Sequence, residues 1–318
     1  MQTQIIEFLK KNETYLSGEE ISQSLKISRA AIWKYMQELR QLGYDIVAVP
    51  HLGYKLVSCP DKLFPLEIQH DLHTKIFGKK IVYHETISST MDAAFQLALE
   101  KAPEGTVVCA ETQTKGRGRL GRTWISPKGK GICLSVILRP KLSPLEVAKL
   151  TLLAAVGVCE ALQKITNLQP SIKWPNDLLI DGKKCAGILT ELSAETDRVK
   201  FVIVGIGVNV NTAKNSLPST ATSLKEETRQ EHSRIKIFQE ILRELEHWYL
   251  RLGEEGFSPV VQRWKELSVT LNQRVRVSDA NGFVEGLAID IDQDGGLLIR
   301  RDTGVIVKKM AGDVALAH

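Results

Sequence analysis

Apolar positions change register three times along this chain. Up to about residue 40 they recur at helical spacing: Ile5, Ile6 and Leu9, then Ile32, Met36 and Leu39 at i, i+4 and i+7. Ser17, with Glu20 three residues on, is a capping box that opens a short helix over 19–25. Ser28 can cap the next helix, and Gly43 is a natural stop. Strand-like runs at 46–49 and 54–57 flank the turn Pro50-His51-Leu52-Gly53. Three helices and a hairpin predict a winged helix-turn-helix over residues 1–60, with the second capped helix placed to read the major groove. From 66 to 268 the pattern mixes strands at 81–84, 106–110, 132–138, 172–174, 177–180, 184–191 and 200–210 with helices at 91–101, 144–162 and 235–252. Asp181-Gly182 is a tight hairpin turn, and the strands read as one mostly antiparallel sheet. The polar stretch 225–234 reads as a surface loop or a fraying helix start. After 270, short strand runs at 274–277, 283–291, 297–300 and 305–309 are separated by Asn281-Gly282, Asp294-Gly295-Gly296 and Thr303-Gly304, which predicts a small β-barrel over 270–318.

Composition narrows the class. Of the 318 residues, 43% are hydrophobic and 25% charged, which excludes wholesale disorder. The longest apolar stretch, 150–159, falls well short of the ~18 residues a membrane span needs. The start MQTQIIEFLKKNE lacks the pattern of a signal peptide, so a soluble, cytoplasmic protein is expected. Five cysteines without a Cys-x-x-Cys argue against a disulfide framework or a zinc finger. His70 and His73 are three apart on an expected helix, but no third ligand accompanies them, and they read as surface histidines. The net charge of +5 is concentrated. Six basic residues and no acid lie between Lys115 and Lys130, and the rest of the chain carries 36 basic against 37 acidic residues. Residues 1–60 are close to neutral, with seven basic and six acidic residues.

The concentrated charge sits in Gly116-Arg117-Gly118-Arg119-Leu120-Gly121-Arg122-Thr123-Trp124. Its glycines satisfy G-x-G-x-x-G and nearly satisfy a P-loop, yet both motifs need a helix to open at the last glycine. The continuation Trp124-Ile125-Ser126-Pro127-Lys128-Gly129-Lys130-Gly131 cannot supply one. What remains is a long flexible loop whose arginines offer forked donors to an anion and whose Trp124 offers a flat face. A solvated basic loop or a nucleic-acid contact is the plainer alternative. A second signal is Lys173-Trp174-Pro175-Asn176-Asp177 with Lys184 beyond it, either a pocket end or a surface hairpin with charged ends. A third is Gly205-Ile206-Gly207-Val208-Asn209-Val210-Asn211, where strand glycines mark a close approach or a bulge.

Together with Ser89-Thr90, Lys184 ahead of Ala186-Gly187-Ile188-Leu189, and the helix start Ser28-Arg29-Ala30-Ala31-Ile32, these pieces resemble, in order and spacing, the bifunctional bacterial biotin–protein ligases that also serve as biotin operon repressors. The resemblance covers essentially the whole chain. Met91, Leu120 and Cys185 depart from the usual pattern and blur only fine contacts. The implied fold is α+β: an N-terminal winged helix-turn-helix, a central mixed α/β domain with a class II synthetase-like biotin/lipoate ligase sheet, and a C-terminal SH3-like β-barrel. The implied activity is that of a biotin–[acetyl-CoA-carboxylase] ligase, which uses ATP and Mg²⁺ to make biotinyl-5′-AMP and passes biotin to a lysine of a biotin carboxyl carrier domain. By the same resemblance, Ser89, Thr90 and Gln113 hold the ureido ring, while Arg117, Gly118 and Arg119 hold the carboxylate and phosphate. Lys184 and Arg119 act in catalysis, Trp124, Lys173, Asn176 and Asn209 hold the nucleotide, and Asp177 assists Mg²⁺. Ser28, Arg29, Lys34 and Tyr35 face operator DNA, which a homodimer joined through the central sheet binds when the adenylate is present. A lipoate–protein ligase, or a ligand-sensing regulator without ligase activity, are the rival readings. No membrane partner is implied.

Overall fold

The computed structural model describes every residue except Glu13, Thr196, Asp197, Ala280, Asn281, Ala317 and His318, and it divides into two compact units, Met1–Lys62 and Leu63–His318. The Asn281 turn expected from the sequence therefore lies outside the described residues.

The first unit holds α1 (Gln2–Lys10), α2 (Gly18–Leu25), α3 (Arg29–Gln41) and the antiparallel hairpin β1 (Asp45–Val49) and β2 (Gly53–Ser58). The capping box forms: the Glu20 amide donates to Ser17 Oγ at 3.1 Å, and the Ser17 amide donates to the Glu20 carboxylate at 2.7 Å. Ser28 Oγ accepts from the Ala31 amide at 3.2 Å and caps α3. Ile5, Ile6, Leu9, Ile21, Ile32, Met36 and Leu39 are buried together on the inner faces of the three helices. The unit is a winged helix, with β1 and β2 as the wing.

The second unit begins with α4 (Pro65–Gln69), β3 (Ile81–His84), α5 (Thr90–Leu99), β4 (Val107–Ala110), β5 (Gly131–Leu138) and α6 (Ala148–Thr166). It continues with β6 (Ser171–Lys173), β7 (Asp177–Ile180), β8 (Lys183–Ala194), β9 (Val199–Asn209), α7 (Leu224–Thr228), α8 (Arg234–Glu255) and α9 (Ser258–Leu267). The strands β10 (Arg274–Asp279), β11 (Gly282–Ile291), β12 (Leu297–Arg300), β13 (Ile306–Lys309) and β14 (Asp313–Leu316) close the chain. One sheet has the order β3-β4-β5-β9-β8-β7-β6; β3 and β4 run parallel and every other pair is antiparallel. Side chains alternate across it. Val107, Leu134 and Val136 enter the core formed with α6, α8 and α9, while Val108 and Ile137 enter a smaller core with α5. Covered on both faces, β4 and β5 read as continuous apolar runs. The second sheet, β13-β12-β11-β10-β14, is antiparallel throughout. It is tied to the first where Trp174 Nε1 donates to the Gly295 carbonyl at 3.2 Å and the Trp174 amide donates to Thr270 Oγ1 at 2.9 Å.

Helix α6 is hydrophobic nearly all round: 11 of its 19 residues are buried. It is the central helix, and no helix of the described residues is long and apolar enough to cross a membrane. The single helix expected over 144–162 is a 3₁₀ turn, Pro144–Glu146, followed by α6. Helix α9 and strand β14 add to the elements expected from the sequence. Of the two forms expected for 225–234, its start takes the helical one, holding all but the first residue of α7, and its end is not at the surface: Arg234 is 1% exposed, its guanidinium 2.7 Å from the equally buried Glu111 carboxylate. His70 and His73 do not share a helix, because α4 ends at Gln69 and His73 takes a left-handed φ of 53°.

Candidate active site

The cationic loop spans the gap between β4 and β5. Its two halves pair with each other: the Gly118 amide donates to the Arg122 carbonyl at 2.7 Å and the Trp124 amide to the Gly116 carbonyl at 2.9 Å. The tip turns through Leu120 and Gly121, both at positive φ, and no α-helix follows Gly121. The loop's approach lies beside residues 87–88, since Thr114 and Lys115 donate their amides to the Ile87 and Ser88 carbonyls at 2.9 Å each. That pairing sets Gln113 against the start of α5. Gln113 Oε1 accepts from the Thr90 amide at 2.7 Å and from Thr90 Oγ1 at 3.0 Å. Ser135 Oγ, from the middle of β5, donates to Thr90 Oγ1 at 2.9 Å. Ser89 precedes α5 without capping it through its side chain, and its buried hydroxyl has no hydrogen-bond partner. A buried polar group without a partner costs roughly 1–3 kcal/mol.

The strand ends supply the opposite wall. Lys184 Nζ lies 2.6 Å from Asp177 Oδ1, an ion pair without hydrogen-bond alignment, and 5.7 Å from the Trp124 ring centre. The backbone of Lys184 is clamped by Thr220 and Thr222, at 2.9 Å on both sides. Arg119 Nη1 donates to Asn176 Oδ1 at 3.1 Å, and Asn176 Nδ2 donates to the Ile188 carbonyl at 2.8 Å. Burial lowers the Arg119 guanidinium from its usual pKa, against the opposing field of Asp177. Burial likewise lowers Lys173, with Asp177 opposing and Lys184 and Arg122 adding to the shift. The Cys133 thiol, beside Gln113, Ser126 and Trp124, is pushed by burial up to about 11, so at neutral pH it is no thiolate nucleophile.

Thr90, Gln113, Arg117, Gly118, Arg119, Trp124, Asn176, Asp177 and Lys184 line one cavity, floored by Gly187, Gly205 and Gly207. Its free space is about 130 Å³, less than the roughly 300–1,000 Å³ of small-molecule sites. Lys173 and Asn209 stand beside the cavity without lining it. Asn209 Nδ2 donates to the Thr222 carbonyl at 3.0 Å and so braces the strand end that holds Lys184. The loop is not a loose cationic coil. Arg117 pairs with Asp92 and Glu191 at 2.8 and 3.0 Å, Lys128 with Glu85 at 2.8 Å, and Arg122 with Asp313 of β14. Sequence reasoning does not single out Ser135, Asp92, Glu191 or Asp313; the one visible signal is a lone serine inside the apolar run of β5. Asp177 faces a lysine, and among the described residues no group of three or more His, Cys, Asp or Glu could hold a metal ion.

In the winged helix, Ser28 is spent on capping α3, Arg29 lies 2.7 Å from Glu19, Lys34 lies 3.9 Å from Glu38, and Tyr35 is half-buried. Arg29 and Lys34 stay largely exposed on the outer face of α3.

Fold and site define a class: a winged helix joined in one chain to a domain that gathers cations around a small-molecule cavity. Residues 83–209 match the model of the Biotin/lipoate A/B protein ligase family, residues 1–55 an HTH domain, and residues 270–316 the Biotin protein ligase C terminal domain. The bifunctional ligase/repressor BirA of Bacillus subtilis is 41% identical over 97% of this chain and 96% of its own length. That of Escherichia coli is 31% identical over 97% and 95%. A solved biotin protein ligase from Aquifex aeolicus, in complex with biotin and ATP, is 30% identical with a TM-score of 0.65, covering 75% of this chain and 99% of that one. The chain belongs to the biotin–protein ligase family, in its bifunctional ligase/repressor form.

Proposed function

We propose that this chain activates biotin with ATP and transfers it to a lysine of the biotin carboxyl carrier domain of acetyl-CoA carboxylase or another biotin-dependent carboxylase. It also represses biotin operon transcription with biotinyl-5′-AMP as corepressor. Residues 1–60 bind DNA, 66–268 carry the ligase and 270–318 form the C-terminal β-domain. In the first step a biotin carboxylate oxygen attacks the α-phosphorus of ATP, and the bond to pyrophosphate breaks. In the second, the carrier lysine amine attacks the acyl carbon, AMP leaves with the anhydride oxygen, and the amine gives up a proton as the amide forms.

The first step brings anions together, so preorganised cations are its main requirement. The observation that carries the reading is the convergence of Arg119 and Lys184 on one cavity floored by backbone glycines. Their present partners, Asn176 and Asp177, are groups that a bound carboxylate or phosphate can replace. Ser89, whose hydroxyl lacks a partner, joins Thr90 and Gln113 in holding the ureido group. Arg117, Gly118 and Arg119 hold the carboxylate and α-phosphate, and Lys184 neutralises the charge that develops between them. Trp124 takes the adenine against its face, Asn209 braces that end, and Lys173 with Asn176 takes phosphate and ribose. Mg²⁺ bound with ATP would offset the phosphate charge, as this ion is normally held by phosphates and one or two carboxylates; Asp177, which lines the cavity, would be the carboxylate to assist it. We place the protein in the cytoplasm and expect a homodimer when the adenylate is bound.

Biotin-dependent exchange of ATP with labelled pyrophosphate isolates the first step. Lys184→Ala lowers that exchange roughly a hundredfold, the loss expected of one electrostatic donor. A near-normal rate in this variant removes Lys184 from the chemistry.

A further inference from the structure

Helix α3 carries a large aromatic that neither its packing nor the ligase site uses. Ile32, Met36 and Leu39 fill the inner face. On the outer face, Ser28, Arg29, Ala30, Trp33 and Lys34 are all exposed, and Trp33 is 61% exposed. Trp33 is also the sole tryptophan of residues 1–62. Tryptophan, with an apolar body and one N–H donor, is enriched at contact surfaces relative to the rest of a protein surface. Ala30 stands three residues before it, so the two share one apolar spot. Cations bracket that spot: the Arg29 and Lys34 side chains are 70% and 74% exposed. The carboxylates nearest to them, Glu19 and Glu38, are already engaged with those same cations.

An apolar centre between two outward cations matches the section of a DNA major groove, with phosphates along both rims and thymine C5-methyl groups on the floor. Phosphate contacts position a protein, while base edges and methyls specify the sequence. A near-neutral winged helix has little general electrostatic grip, so such contacts carry more of its discrimination. We propose that Trp33, with Ala30, reads thymine methyl groups in the major groove and is a specificity-determining residue for operator DNA. This rests on the DNA-binding reading above and goes beyond it by naming the base and the residue.

The test uses the full chain with biotin, ATP and Mg²⁺ and a pool of random duplexes from which bound sequences are selected. The best duplex is then remade with deoxyuridine in place of thymine, one position at a time. Deoxyuridine keeps the pairing and the O4 acceptor and lacks only the methyl. The expected result is a loss of roughly fourfold per contacted methyl, confined to one or two positions in each half-site. Trp33→Ala binds the thymine duplex that much more weakly and no longer distinguishes it from the deoxyuridine form, whereas Trp33→Phe keeps part of the distinction. Equal binding of thymine and deoxyuridine duplexes by the unaltered protein overturns the assignment without needing any variant. So does methyl dependence that survives in Trp33→Ala. A change in that variant's oligomeric state alone, with methyl dependence intact, assigns this face to a protein contact instead. If no duplex is enriched, the DNA-binding reading falls and this one with it.

Discussion

Trp124 lies flat on the sheet. A methyl built on Gly207 would sit 2.3 Å from its Cε2, and one on Gly187 would sit 3.3 Å from its Cζ3. Of the two strand glycines that the sequence offers as either a close approach or a bulge, Gly207 is therefore a floor for an aromatic ring, while Gly205 makes room for the Met91 thioether. Gly207→Ala pushes the indole off that floor. Overpacking of this kind costs about 1–3 kcal/mol, so the KM for ATP rises roughly tenfold and the melting temperature falls by a few degrees; an unchanged KM contradicts the adenine role of Trp124. Lys173 belongs to the same scale. A lysine whose pKa is lowered by burial keeps its charge at low pH and loses it earlier than an ordinary lysine as pH rises. The kcat/KM for ATP, which reports ionisations of the free enzyme, accordingly falls on an alkaline limb that begins below the usual lysine range. Lys173→Arg stays charged and moves that limb upward; identical limbs in the two proteins remove Lys173 from phosphate binding. Most cavity residues are legible in the sequence as residue types at recognisable spacings. Their partners are not, because Asp313 lies about 190 residues beyond Arg122 and only the tertiary fold brings them together.

At the scale of elements, the sequence is most legible where local chemistry decides the outcome. Capped helices in the winged helix appear where Ser17, Glu20 and Ser28 put them, because a cap is satisfied within one turn. Helix α9 is harder to see although Val260, Val261, Trp264 and Leu267 share one face behind Pro259; its ten residues follow directly on α8 and a Gly256 turn. Strand β14 has four residues and no pattern beyond its pairing with β10. Glycine content makes the segment between β4 and β5 look like a flexible cationic loop, whereas its backbone pairs with itself and its arginines with Asp92, Glu191 and Asp313. Those ion pairs are largely exposed, and exposed pairs are individually weak, about 0–1 kcal/mol. Bound biotin and ATP can exchange them for stronger contacts. Limited proteolysis within residues 115–130 therefore slows when biotin and ATP are added together; equal cutting rates with and without them contradict a loop that orders around its ligands.

The whole molecule separates two ways of handling anions. The positive excess is accounted for by one loop of the second unit, whose three arginines line a cavity, while residues 1–60 are nearly neutral, so that in the function proposed above they would meet DNA through a helix face and the symmetry of a dimer. That division is legible in the distribution of charge along the chain. The arrangement that makes the loop chemical, with Arg119 of the loop and Lys184 of β8, 65 residues further on, brought to one cavity, is not, because it depends on tertiary packing. Activation of biotin for transfer in this cavity is tested most directly by incubating the 318-residue protein with biotin, ATP, Mg²⁺ and an apo biotin carboxyl carrier domain, followed by an avidin blot, with lipoate in place of biotin as the parallel reaction. A biotinylated carrier that requires ATP and the acceptor lysine is the predicted result. An unlabelled carrier, or a carrier modified with lipoate in preference to biotin, would contradict it.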